Sequence, residues 1–214
     1  IVTALKTNHN FTYFAITRAL QNLVGNLGCS VYYFTWIIGN VALMGVTAVF
    51  SIVGLPLAFF MPVMRRKLGM KRMSTYGFVV AILGYIVMFF ANGNLMIVVV
   101  ASLLTTLAIV PFTMMQPMYI VDCADYNEMI GNPRMEASLG AISGFAGKVG
   151  AALGGLVMGS VLSLAGYVGT AETSSLIPAA FFVVMIVLMN HFDLDEKLKN
   201  WRAEKIAAQT EKTE

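Results

Sequence analysis

The sequence predicts an all-α membrane protein, and three observations predict it. The chain is 58% hydrophobic and 12% charged, where a soluble domain carries roughly 25% charged residues. Its apolar residues gather into six long segments joined by short polar connections. Of its 14 Lys and Arg residues, all but Arg18 and Lys148 fall in alternate connections or at the chain ends, the bias that fixes orientation in a bilayer.

The first span covers about Phe11 to Ile38. At about 100° per residue, Arg18, Asn22, Asn26, Tyr33 and Trp36 share one face. Cys29 falls among them, and Gln21, Ser30, Tyr32 and Thr35 border the face. Amides that donate and accept, beside flat aromatic rings, suit a hydroxyl-rich sugar ring. The same groups also serve as hydrogen bonds between neighbouring helices.

The second span, about Val41 to Met64, and the fourth, about Leu95 to Ile120, carry prolines at matching spacing: Pro56 and Pro62, then Pro111 and Pro117. A proline inside a span removes a backbone bond and bends the helix, which suits an element that rocks or lines a cavity. Gln116, set between two prolines in apolar surroundings, needs a partner or a ligand. The third span, about Met73 to Ala91, follows the basic run Arg65-Arg66-Lys67-Leu68-Gly69-Met70-Lys71-Arg72.

The fifth span, Ala137 to Ala165, holds one charged residue, Lys148. It lies ~16 Å into a hydrocarbon core ~30 Å thick, where a charge costs several kcal/mol unless something receives it. Ala141, Gly144, Ala152, Gly155 and Gly159 share its face, while Leu139, Val149, Leu153 and Val157 lie opposite. The lysine therefore projects from a small-residue groove, expected to admit a close helix backbone or a water-filled cavity. From the midplane, snorkelling to an interface needs more reach than one lysine side chain has.

The sixth span is about Leu176 to Asn190, and the charged tail Asp193 to Glu214 places Leu194, Leu198 and Trp201 on one stripe. The tail reads either as a helix on the membrane surface, with Trp201 as interface anchor, or as a solvated extension. The expected organisation is a six-helix bundle over residues 1–192 and a tail over 193–214.

The connections at Gly39-Asn40, Asn92 to Asn94 and Gly166 to Ser175 contain no Lys or Arg. Lys6, the Arg65 to Arg72 cluster, Arg134 and the tail bases Lys197, Lys199, Arg202, Lys205 and Lys212 lie in the other set, which the positive-inside rule makes cytoplasmic. The expected location is the cell membrane, multi-pass, with both ends of the chain cytoplasmic. Net charge of +3 follows from this topology and does not argue for nucleic acid. Cys29 and Cys123 read as packing residues, and His9 and His191 fall at membrane edges, so no metal cluster is expected. An enzyme is not expected either, because Ser143 has no histidine within a span to activate it. The chain opens on Ile1 with no methionine or cleavable signal segment, so the expectation is a piece of a longer protein.

The densest charge pattern is Asp122, Asp125, Tyr126 and Glu128, then Arg134 and Glu136, read as a loop at the cytoplasmic mouth of two spans. Basic partners for these acids would be Arg134, the Arg65 to Arg72 cluster or residues in a missing half of the protein. Ion pairs that make and break between two conformations are what a gate requires.

Asp122-x-x-Asp125-Tyr126-x-Glu128, then Arg134-x-Glu136 and a glycine-rich helix bearing Lys148, resembles the signature of the glycoside-pentoside-hexuronide:cation symporters, relatives of melibiose permease within the major facilitator superfamily. The Arg65 to Arg72 run is similar to that superfamily's basic loop between the second and third helices of each half. The resemblance implies the C-terminal six-helix bundle, 3+3, of a twelve-helix fold that carries a sugar or sugar-conjugate by alternating access. No resident cofactor is implied; the co-transported Na+, H+ or Li+ would bind mainly to the N-terminal half, whose carboxylates would pair with Lys148. Asn22, Asn26, Tyr33, Thr113, Gln116 and Ser143 would offer substrate contacts, and Asp122, Asp125, Tyr126, Glu128, Arg134 and Glu136 the cytoplasmic gate. Thr113 stands at the place of a sugar-site tryptophan, and Ser143 and Gly144 at those of a glutamine and a threonine, which implies a pocket unlike that for melibiose. Partners are the N-terminal half, membrane lipid and the sugar. Two other expectations stay open: a lysolipid or other amphiphile as cargo, and a complete six-span channel or scaffold.

Overall fold

A computed structural model describes residues 8–51, 55–164 and 171–210, and every regular element among them is helical. Lys6, Lys212 and the first half of the connection Gly166 to Ser175 lie outside the described residues. The helices are α1 His9–Gly25, α2 Cys29–Trp36, α3 Met44–Ser51, α4 Leu55–Phe89, α5 Leu95–Met129, α6 Glu136–Leu164, α7 Ala171–Asn190 and α8 Asp195–Thr210, with a short 3-10 turn, Val41–Leu43, before α3. Among the described residues, Val63–Phe89, Leu95–Met129 and Glu136–Leu164 are long and apolar enough to cross a membrane. A fourth crossing results if Ser175–Asn190 and Asp195–Lys205, bent by 40°, count as one.

The first expected span is broken, and the break is chemical. Gly28 takes φ 71°, a left-handed conformation that only glycine adopts freely, so the helix stops at Gly25 and restarts at Cys29. A face counted at constant angle from Asn22 therefore loses meaning beyond Asn26. Tyr33 lands in a core with Phe34, Met88 and Val98, fully buried, its hydroxyl donating to Met88 O at 3.3 Å, whereas Trp36 is 53% exposed.

The basic run between the second and third spans is helical, interrupted at one residue. Gly69 has φ 76° and ψ 169°, and α4 changes direction there. α5 continues past the expected end at Ile120 and through Pro111 and Pro117, so Asp122, Asp125 and Glu128 ride on a helix, not a loop. Their i, i+3, i+6 spacing puts them on one face, where cations neutralise the repulsion that would otherwise fray the helix.

α1 packs along α6, and α4 packs against α5 and α7. Glycines set the first of these distances. A Cβ on Gly150 would overlap the Ala19 carbonyl, and one on Gly154 would stand 2.6 Å from Leu23 O, so the two backbones touch as small-residue helix pairs do in membranes. The core beside them is aromatic. Phe14 stacks on Tyr119 at 5.0 Å between centroids, and Phe78 meets Phe112 at 5.3 Å and Phe182 at 5.7 Å. The buried Tyr119 hydroxyl donates to Met70 O at 2.9 Å and lies 2.7 Å from Ser74 Oγ, which satisfies its polar end.

Candidate functional site: a polar face and a charged end

Two polar groupings interrupt the apolar bundle. The first joins α1, α5 and α6. Gln21 Nε2 donates to Thr113 Oγ1 at 3.1 Å, and Gln116 Nε2 donates to Gln21 Oε1 at 3.3 Å. Arg18 Nη1 donates to Ser143 Oγ at 2.7 Å, while Arg18 Nε is buried without a hydrogen-bond partner. Thr113 and Gln116, both on α5, are thus linked through Gln21, counted only as a border of the first-span stripe, while Ser143 of α6 is reached by Arg18 of α1. Asn22 and Asn26 point along their own helix, donating to Arg18 O at 3.0 Å and Asn22 O at 2.8 Å. Tyr33 sits apart in its own core.

Lys148 is exposed and makes no hydrogen bond or ion pair among the described residues. α6 has two glycine faces, and the expected groove is the open one. Ser143, Gly147, Gly150 and Gly154 are buried against α1, where a Cβ on Gly147 would reach Arg18 Nε and Asn22 Nδ2 at 3.3 Å. Gly144, Gly155 and Gly159 have nothing within 4 Å. The lysine stands on this open face, and the close approach of a helix backbone is on the other.

The second grouping caps the end of the bundle that carries the basic run. Arg202 of α8 donates from Nε to Asp125 Oδ2 at 2.9 Å and from Nη2 to Asp122 Oδ1 at 2.6 Å and Asp125 Oδ2 at 2.5 Å. Arg65 reaches Asp122 at 3.6 Å, and Arg134 reaches Asp125 at 3.0 Å, Glu128 at 3.9 Å and Glu136 at 3.5 Å. Lys205 donates to Glu128 at 2.5 Å and lies 4.7 Å over the Trp201 ring. Tyr126 is half-buried beside these acids, against the core. Arg134 and Arg65 are partners the sequence suggested; Arg202 and Lys205 are not, although four crowded acids signal a need for more cations.

Burial works to lower the Arg202 pKa, but hydrogen bonds and charge from Asp122 and Asp125 outweigh it and hold it above the ordinary value. The stripe Leu194, Leu198 and Trp201 faces the bundle: Leu194 and Leu198 are buried in its core and Trp201 packs against it. α8 is thus docked on α4 and α5, where a membrane-surface helix or solvated tail was expected. Arg202→Ala is expected to cost about 2 kcal/mol of local stability, a typical loss for hydrogen bonds to charged groups. Since proteolysis follows the open population, trypsin should then cut within α8 about thirtyfold faster. An unchanged cleavage rate would mean that these bonds do not hold the tail.

No group of His, Cys, Asp and Glu able to hold a metal ion occurs among the described residues. Cys29 and Cys123 are both free and buried.

Residues 9–196 match the family described as MFS/sugar transport protein. The chain is also 27% identical over 201 residues to an uncharacterized symporter, YnaJ, of Bacillus subtilis strain 168, across 86% of this chain and 42% of that protein. It therefore spans less than half the length of the curated relative it matches.

Proposed function

The chain belongs to the MFS/sugar transport protein family, and from that premise we propose that it is the C-terminal six-helix half of a sugar:cation symporter working by alternating access. It is a transporter chain, not an enzyme. The observation that carries the sugar reading is the Gln21–Thr113–Gln116 set, an amide, hydroxyl and amide joined across α1 and α5. Hydrogen-bonding groups of that kind, already paired with each other, exchange their partners for sugar hydroxyls at little net cost. Ser143 and Arg18 extend the same face toward α6. The likeness to the sequence signature of glycoside-pentoside-hexuronide symporters supports the subfamily, and the share of YnaJ covered supports a half-transporter.

In this reading the acidic face of α5 is the cytoplasmic gate, closed onto Arg202 and Lys205 by the tail, and Lys148 meets carboxylates of the N-terminal half at the midplane. The cation, Na+, H+ or Li+, binds chiefly in that half. The membrane is the plasma membrane, with both ends of this chain on its cytoplasmic side, as the basic residues favour.

Vesicles holding the full-length protein are expected to accumulate a radiolabelled glycoside when an inward Na+ or H+ gradient is imposed. Gln116→Ala should raise KM about tenfold, the effect of losing one hydrogen bond in a buried site. Accumulation of glycosides that ignores every cation gradient would overturn symport. A Gln116→Ala protein with unchanged KM would remove this face from the binding site.

A further inference from the structure

We propose that the outer face of the bundle, where α4 breaks at Gly69, holds one anionic phospholipid, its headgroup on Lys67 and Arg72 and an acyl chain in the groove between α4 and α5. The groove is an apolar cavity of about 230 Å³ whose walls include Leu68, Met73, Tyr76, Gly77, Leu104 and Pro111. Gly77 deepens it: having no Cβ, it lets α4 close on the Ala108 carbonyl at the cavity floor. The groove lies away from the proposed cargo face. Counting about 100° per residue, Thr113 falls on the side of α5 opposite Leu104.

Directly beside it is a second cavity, of about 430 Å³, with Lys67, Lys71 and Arg72 in its wall, and Leu68 is common to both. An apolar slot and a charged bowl that share a wall fit a molecule with an acyl tail and an ionic head. The sign of the head follows from which charges are already engaged. Asp195 accepts from the Lys71 backbone N–H at 2.9 Å, Asp193 pairs with Lys197 at 3.4 Å, and the Lys71 ammonium donates to Asn190 O at 2.7 Å. Lys67, Arg72 and the neighbouring Arg66 are exposed and make no ion pair among the described residues, against Glu196 as the one bowl carboxylate with no hydrogen bond or ion pair among them. Positive charge is left over, at the end of the bundle where a bilayer presents its headgroups. Tyr76, 56% exposed on the groove wall, places an aromatic ring with a polar tip at the same boundary.

The test is native mass spectrometry of the full-length protein in detergent, titrated with palmitoyl-oleoyl phosphatidylglycerol or with phosphatidylcholine of the same chains. Phosphatidylglycerol should be retained in preference, as a single tight adduct. Lys67→Ala with Arg72→Ala should weaken it about twenty-five-fold, the product of about fivefold for each surface cation. Val80→Trp, at the exposed groove rim with every charge intact, should weaken it about tenfold by filling the acyl slot. Equal retention of the two lipids overturns the proposal. So does phosphatidylglycerol binding unaffected by the double substitution, and so does loss on the double substitution without loss on Val80→Trp, which would leave a surface patch and no groove.

Discussion

Full-length protein carrying Lys148→Ala is expected to lose gradient-driven sugar accumulation by about a hundredfold, the upper range of a coupling free energy between two sites. The lysine sits near the middle of the 29-residue α6, exposed, with open glycine surface around it and no counter-charge among the described residues. A charge at bilayer depth costs about 3 kcal/mol on insertion scales, and the proposed coupling role supplies the compensating anion from beyond the described residues. Because no contact among the described residues depends on the ammonium, the alanine protein should fold and melt as the parent does. Sugar exchange without a gradient should survive better than accumulation, which separates lost coupling from lost binding. Lys148→Arg, which keeps the charge, should restore part of the accumulation. Normal accumulation by the alanine protein would rule out the coupling role.

Gly150→Leu is expected to prevent folding, costing at least about 3 kcal/mol, because it exceeds ordinary overpacking. Even the first carbon of a new side chain would overlap the Ala19 carbonyl, which is backbone and cannot swing aside. α1 would have to withdraw from α6 along its length, uncovering Gly147 and Gly154 and displacing Arg18 from Ser143. Gly155→Leu is the matched control, one position beyond Gly154 on the same helix but facing open space. It should give a monodisperse protein by size-exclusion chromatography in mild detergent, while Gly150→Leu gives aggregate or none. Equal behaviour of the two would show that this backbone contact does not define the helix pair.

Helical periodicity made α6 readable and then misdirected its packing. Two sets of small residues run along that helix, and a wheel centred on Lys148 selects Gly144, Gly155 and Gly159, which face open space. Both sets are made of small residues; what distinguishes them is where α1 lies, which is tertiary information. The break in the first span was legible, since Gly25 and Gly28 bracket it, and ignoring it carried Tyr33 onto a polar face it does not share. The acids of α5 read as a loop because isolated like charges oppose a helix. In the structure the helix carries them with cations alongside, among them Arg202 and Lys205, about eighty positions away in sequence by the separations of their hydrogen bonds. The tail stripe was visible in Leu194, Leu198 and Trp201, but a stripe states only that something apolar receives it, and here the receiver is the bundle, not lipid.

Lys71 grips both sides of the turn between α7 and α8, its ammonium on Asn190 O at 2.7 Å and its backbone N–H on Asp195 at 2.9 Å. Asp193 N–H, inside the same turn, is held by Asn10 of α1 at 2.9 Å. The Asp195 carboxylate also occupies the space a side chain on residue 69 would need, 2.7 Å from that position. This corner is therefore a fixed-length splice. One residue added or removed between Asn190 and Asp195 would rotate α8 by about 100°, turning Arg202 away from Asp122 and Asp125, so the spacing of a short turn at one corner sets which cations reach the acids at another.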